Sequence, residues 1–225
     1  MRIRRKKHLK ERIEAVSDLL FIADYSVPDS REAIKNKTYF DFNKIYINDN
    51  PVDLEIGCGK GGFVCGMATR HPERNYLAVE LLDNIIVMAV ENCVNHGLSN
   101  VRFFNCGAEY LPKYICNKSI SNLYLNFSPP FPGDRYENRR LTNSRLVGFY
   151  KDFLTIDGVI HLKTDNKDFF DYSFSQFVKF GFDVVDTTSK VKSGEVENVV
   201  TEYEKKFMSE KLPIYYLIAK NKTCE

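Results

Sequence analysis

Apolar residues follow two rhythms from Val52 onward. Short, nearly continuous apolar runs predict buried strands over 52–56, 75–80, 101–105, 122–127, 158–164, 182–186 and 213–219. Between them, apolar positions spaced for one face of a helix predict helices over 62–70, 82–96, 140–154 and 167–180, with a shorter one over 201–209. Leu146, Phe149, Tyr150, Phe153 and Leu154 form the inward stripe over 140–154, and Phe170, Phe174, Phe177 and Val178 that over 167–180. Upstream, Leu9, Ile13, Val16, Leu19 and Leu20 share one face and predict a helix over 9–23. A polar stretch around Pro28, Asp29 and Ser30 follows, then an aromatic segment from Tyr39 to Phe42.

Strands alternating with helices predict a parallel sheet covered on both faces. The expected fold class is α/β: a doubly wound, mostly parallel, seven-stranded, Rossmann-like domain over 51–225, preceded by a basic arm and helix over 1–50. Such sheets bind ligands outside the carboxyl ends of their strands. Those ends carry Glu55 and Gly57, Glu80, Asn105 to Ala108, Asn126 to Ser128, and Thr164 to Asn166, which should line one rim.

Composition narrows the class. At 225 residues, 44% hydrophobic and 28% charged, the chain is one globular domain of ordinary size with a sizeable core. No apolar run approaches the length of a membrane span. Cys58, Cys65, Cys93, Cys106, Cys116 and Cys224 form no CxxC pair, and several sit in apolar runs, so a reduced, cytoplasmic protein is expected. His8, His71, His96 and His161 show no metal-ligand spacing. The net charge is only +2, yet the first twelve residues hold seven Lys or Arg against one Glu, a net of +6, so the remainder is −4. A basic arm on an acidic body suits an anionic partner, although a solvated terminus has the same composition.

The most specific chemistry lies in Asp53-Leu54-Glu55-Ile56-Gly57-Cys58-Gly59-Lys60-Gly61-Gly62, followed by Glu80 at the end of the next strand. Glycines between strand and helix let backbone approach a ligand, and an acid ending the neighbouring strand can accept from both hydroxyls of a ribose. Gly57, Gly59 and Gly62 also satisfy the GxGxxG spacing of nicotinamide-dependent dehydrogenases, and Tyr114 and Lys118 have the YxxxK spacing that some of them use. Pro112 and the turn signal Asn117-Lys118-Ser119 oppose the helix which that pair requires. Glu55 argues against the dehydrogenase, which stays the lesser alternative. A carboxylate before the first glycine would repel a pyrophosphate but suits a cationic ligand without phosphate. S-adenosylmethionine, with its sulfonium and ammonium, is such a ligand.

Other rim segments carry further candidates. Pro129, Pro130 and Pro132 stiffen the loop from Asn126 to Arg135, where Phe131 could flank a planar base. Arg135, Arg139, Arg140 and Arg145 suit phosphate recognition, unless they merely face solvent from a helix. Asp165 and the segment Thr201-Glu202-Tyr203-Glu204 offer carboxylates for the N1–H and N2–H2 donors of guanine. The competing reading is helix capping, with Asp165 as an N-cap and Thr201 with Glu204 as a capping box.

These segments, taken in order, resemble the bacterial tRNA (guanine-N7-)-methyltransferases. The resemblance runs from Leu54 nearly to the C-terminus and rests on Glu55 to Gly61, Tyr124 to Ser128, Arg139 to Thr142, Ile160 to Asn166, and Thr201 to Glu204 with Lys206 and Phe207. It implies an S-adenosylmethionine-dependent methyltransferase fold and methyl transfer to N7 of a guanine in the tRNA variable loop, with tRNA as partner and no metal or membrane. It implies cofactor contacts from Glu55, Gly57, Gly59, Glu80, Gly107, Ala108, Asn126 and Pro129. Substrate contacts are implied at Gly133, Arg135, Arg139, Asp165, Thr201, Glu202, Tyr203 and Glu204; since methylation at N7 builds positive charge on the purine, Asp165 and Glu204 are the candidate catalytic acids. A monomer and a homodimer both remain open. The chain departs from the family pattern in carrying Pro129 for an acid, Phe131 for Trp, Gly133 for Lys, Tyr136 for His and Gly107 for Asp. A non-catalytic tRNA-binding relative is the alternative those departures leave.

Overall fold

The computed structural model describes residues 7–188, 199–200, 204, 209–210 and 212–222. Among the described residues eight strands form the sheet, in the order β1 (Leu20–Ile22), β4 (Val101–Asn105), β3 (Asn75–Glu80), β2 (Val52–Ile56), β5 (Ile120–Asn126), β6 (Leu154–Thr164), β8 (Tyr215–Asn221), β7 (Phe182–Asp186), so the expected seven are exceeded by one. The chain divides into two compact units, Met1–Asn50 with Glu55–Tyr114, and Pro51–Leu54 with Ile115–Glu225.

The first unit opens with α1 (Leu9–Glu14) and β1 (Leu20–Ile22) where a single helix over 9–23 was expected. The apolar pair Leu19 and Leu20 fits a helical stripe, but a stronger demand comes from the edge of the sheet. The backbone of β4 (Val101–Asn105) has groups to satisfy, and β1 runs parallel to it with Leu20 opposite Phe103. The Phe103 N–H donates to the Leu19 carbonyl at 2.8 Å. Two short helices, α2 (Ser30–Ala33) and α3 (Phe42–Tyr46), follow, each capped by an aspartate side chain, Asp29 and Asp41.

From β2 (Val52–Ile56) the predicted alternation holds. It continues as α4 (Gly62–Arg70), β3 (Asn75–Glu80) and α5 (Asp83–Asn95) before β4. Every residue of β2 is buried, as a strand covered on both faces requires. β3 and β4 are parallel, with Glu80 opposite Asn105 at their carboxyl ends. Arg12 of α1 makes a bidentate ion pair with Glu91 of α5, at 2.7 and 2.6 Å, which anchors the start of the chain. A 3-10 turn over Ala108–Lys113 contains Pro112, and residues 114–119 are not helical, so no helix joins Tyr114 and Lys118.

The second unit contains β5 (Ile120–Asn126), α6 (Ser144–Phe153), β6 (Leu154–Thr164), α7 (Lys167–Lys179), β7 (Phe182–Asp186) and β8 (Tyr215–Asn221). α6 starts later than the predicted 140 because the Asn143 side chain caps it, accepting from the Leu146 N–H at 3.1 Å. A 3-10 turn over Asp134–Arg139 precedes it. β5 and β6 are parallel, whereas β8 runs antiparallel to both β6 and β7. Among the described residues, no helix is long and apolar enough to cross a membrane, and no group of His, Cys, Asp or Glu could hold a metal ion. Cys58, Cys65, Cys93 and Cys106 are buried free thiols, and Cys116 is exposed. The predicted helix over 201–209 falls largely outside the described residues.

Candidate active site

In the first unit the chain leaves β2 through Gly57, Gly59 and Gly61, all with positive φ, at +82°, +55° and +80°. The turn is built on β3: the Gly57 and Cys58 N–H groups both donate to the Val79 carbonyl, at 2.8 and 3.0 Å. A Cβ at Gly61 would stand 3.0 Å from the Cβ of Ala89, so this glycine lets the loop press onto α5. Gly57 and Gly59 differ. A Cβ added at either meets nothing within 4 Å, so their backbone borders open space. That is a cradle for a ligand, and Glu55, only 4% exposed, lies at the strand end that leads into it.

Glu80 is tied to the same loop. One carboxylate oxygen accepts from the Gly59 N–H at 3.2 Å and the other from the Leu82 N–H at 3.0 Å. Each oxygen retains a further acceptor site, so the group is oriented and still able to take two hydroxyl donors. At the end of β4, the Gly107 N–H donates to the Tyr25 hydroxyl at 2.8 Å, and Ala108 is buried. Tyr25 carries no motif signal, and only the fold brings it to this strand end. Its own hydroxyl is pushed up to about 12, first by burial and then by the nearby Cys106 thiol.

The second unit carries the remaining candidates. After β5 the loop passes through Phe127 and Phe131, both in the left-handed region at φ +51° and +42°, and Gly133 at +88°. Positive φ at bulky residues costs energy that the surroundings must offset. Arg140 does so. Its guanidinium donates to the carbonyls of Pro130, Phe131 and Gly133, at 3.2 to 3.4 Å, and lies over the Tyr172 ring. Arg139 lies 4.8 Å over Phe131, and Arg135 lies 4.5 Å over Tyr136. Both arginines are exposed, so their charged edges face solvent while their planes rest on aromatic rings. Asn126 is half-buried at the end of β5, and Pro129 is exposed.

The two candidate acids have different surroundings. α7 is capped by Asn166, whose side chain accepts from the Phe169 N–H at 2.8 Å. Asp165 is therefore not the cap; it is exposed and makes no hydrogen bond or ion pair among the described residues. Glu204 is 1% exposed, 3.4 Å from the buried Lys163 ammonium, and accepts a short hydrogen bond from the Tyr216 hydroxyl. Lys163 also donates to the Val199 carbonyl at 3.0 Å. Thr201, Glu202 and Tyr203 lie outside the described residues.

The glycine loop after β2 and Glu80 at the end of β3 lie at the carboxyl ends of neighbouring parallel strands, where sheets of this kind bind nucleosides, and residues 49–217 match the family described as "Putative methyltransferase", which gives the class. The fold is shared with a solved antibiotic-related methyltransferase, at 17% identity and a TM-score of 0.54, covering 89% of this chain and 96% of that one. It is shared too with the 16S rRNA methyltransferase KamB, at 12% identity and a TM-score of 0.60, covering 83% and 96%. Sequence relatives are more specific. The tRNA (guanine-N(7)-)-methyltransferase of Geobacillus kaustophilus is 37% identical over 96% of this chain and 94% of its own length. That of Listeria monocytogenes is 36% identical over 98% of both. The chain belongs to the tRNA (guanine-N7-)-methyltransferase family.

Proposed function

We propose that this chain transfers a methyl group from S-adenosylmethionine to N7 of a guanine in tRNA. The observation that carries the reading is the open glycine cradle, bordered by buried Glu55 and by a Glu80 carboxylate already oriented by the Gly59 and Leu82 N–H groups. These residues fit the cofactor: Glu55 faces positive charge without a phosphate to repel, and Glu80 takes the ribose hydroxyls. When bound, the cofactor supplies an electrophilic methyl group on a sulfonium.

Guanine N7 has an in-plane lone pair and no proton, so its attack needs no general base. Held at the glycine loop by Glu55 and Glu80, the sulfonium would supply its methyl group to N7, and positive charge would develop on the purine. The protein's work is then positioning and charge stabilisation. Asp165, exposed and uncommitted, accepts from the guanine N1–H and N2–H2 and stabilises the charge that develops on the ring. Glu204 acts through others: its carboxylate holds Lys163 and Tyr216, and Lys163 in turn holds Val199. Arg135 and Arg139, braced on Tyr136 and Phe131, contact the RNA backbone.

Radiolabelled methyl transfer to unmodified tRNA, followed by nucleoside analysis, tests the reading. We expect 7-methylguanosine. Another methylated nucleoside overturns the position, and tRNA binding without product favours the non-catalytic relative. Binding of a nicotinamide cofactor in place of S-adenosylmethionine favours the dehydrogenase.

Two further outcomes follow. Glu80→Ala should weaken S-adenosylmethionine by about 1.5–3 kcal/mol, the loss expected for charge-assisted bonds to two hydroxyls. Unchanged calorimetric affinity in the folded variant would make Glu80 a brace for the loop alone. Deleting residues 2–7 should weaken tRNA binding and flatten its salt dependence, because fewer counterions are released. Cofactor affinity should not change. An unaltered salt slope would mark the arm as a solvated tail.

A further inference from the structure

The end of β4 holds an arrangement that the motifs do not explain. Gly107 has no side chain, yet the space beside it is filled. A Cβ built there would stand 2.9 Å from both carboxylate oxygens of Glu109, which folds back over the glycine. Glu109 is exposed, and among the described residues its carboxylate makes no hydrogen bond or ion pair. The backbone beside it is already committed: the Gly107 N–H donates to the Tyr25 hydroxyl, and the Gly107 carbonyl accepts from the Tyr110 N–H at 3.0 Å. An uncommitted anion thus sits at the carboxyl end of β4, on the strand beside β3, where Glu80 pairs in register with Asn105.

β4 is the strand beside β3, so a nucleoside whose ribose is held by Glu80 has the end of β4, and Glu109 after it, within reach of its base. Adenine presents a 6-amino donor on its outer edge, and a carboxylate accepts such a donor through a charge-assisted bond. We propose that Glu109 reads the adenine of the cofactor by accepting from its 6-amino group, in the place where Gly107 offers no side chain. This inference rests on the cofactor reading above and names the residue that sets base specificity in that site.

The distinction is one of chemistry at a single atom. A 6-oxo base such as hypoxanthine turns an acceptor toward the carboxylate and gains nothing from it. Calorimetry with S-adenosylhomocysteine and S-inosylhomocysteine on wild type, Glu109→Ala and Glu109→Gln separates the roles without any turnover. Glu109→Ala should weaken S-adenosylhomocysteine about tenfold, the equivalent of one good hydrogen bond, and leave S-inosylhomocysteine unweakened. Glu109→Gln, which keeps an acceptor oxygen, should fall between wild type and alanine for the adenosine ligand. Unchanged affinity for S-adenosylhomocysteine in Glu109→Ala, or equal losses for both ligands, would overturn the assignment. If wild type binds neither ligand, the cofactor reading itself falls, and the role of Glu109 with it.

Discussion

Asp165→Asn should lower single-turnover methyl transfer by roughly 10- to 1000-fold under saturating tRNA, the range seen when a positioned electrostatic group is lost. Asparagine keeps the size of the side chain and one acceptor oxygen but removes the charge that opposes the cation forming on the purine. Its amide would also turn a donor toward the donors of guanine. The fold should survive, because α7 is capped by Asn166 and Asp165 carries no internal bond among the described residues. Cofactor affinity should be unchanged, since Glu55 and Glu80 are untouched. Full activity in the variant would reduce Asp165 to an ordinary surface acid.

Glu204→Ala should act on stability first, costing about 3–5 kcal/mol, because it removes the carboxylate from a buried ion pair with Lys163. Lys163 loses the Glu204 carboxylate, and the Tyr216 hydroxyl loses the same acceptor. Chemical denaturation measures the loss directly. Removing both charges at once distinguishes a buried pair from a lone acid. Lys163→Met with Glu204→Leu should recover most of the lost stability, since apolar replacements of similar volume often match a buried ion pair. A folded double variant that methylates tRNA at the wild-type rate would show that the cluster contributes stability alone. A stability loss below about 1 kcal/mol in Glu204→Ala would mean the pair is solvated, as exposed pairs are.

The contrast between these two acids shows where reading residues in order stops being sufficient. Asp165 and Asn166 are adjacent, and either side chain suits an N-cap. Which of them faces the helix is decided by backbone direction at the end of β6, and the answer leaves Asp165 available. Glu204 has the spacing of a capping box with Thr201, yet its carboxylate is engaged by Lys163 and Tyr216, 41 and 12 residues away. A pattern over four residues contains no information about either partner. Glu109 is a third case. Its sequence neighbours mark a turn, and only the folded backbone shows its carboxylate lying over Gly107.

Residues read alone specify the elements whose burial is local and periodic. β2, β3 and β4, and the helix after the glycine loop, occur over their predicted residues because nearly continuous apolar runs and helical stripes leave one way to bury each segment, and β7 matches too although most of it is exposed. The glycine loop was legible for the same reason: φ of +82° and +55° at Gly57 and Gly59 is demanded by the turn itself. Long-range pairing makes Leu20–Ile22 an eighth strand, since the hydrogen-bonding groups it satisfies belong to β4, some eighty residues on. It also decides the antiparallel course of β8 and the placing of Tyr25 on the Gly107 N–H. In each case the energy comes from a partner distant in sequence, and the hydrophobic rhythm of one segment cannot specify what lies across from it.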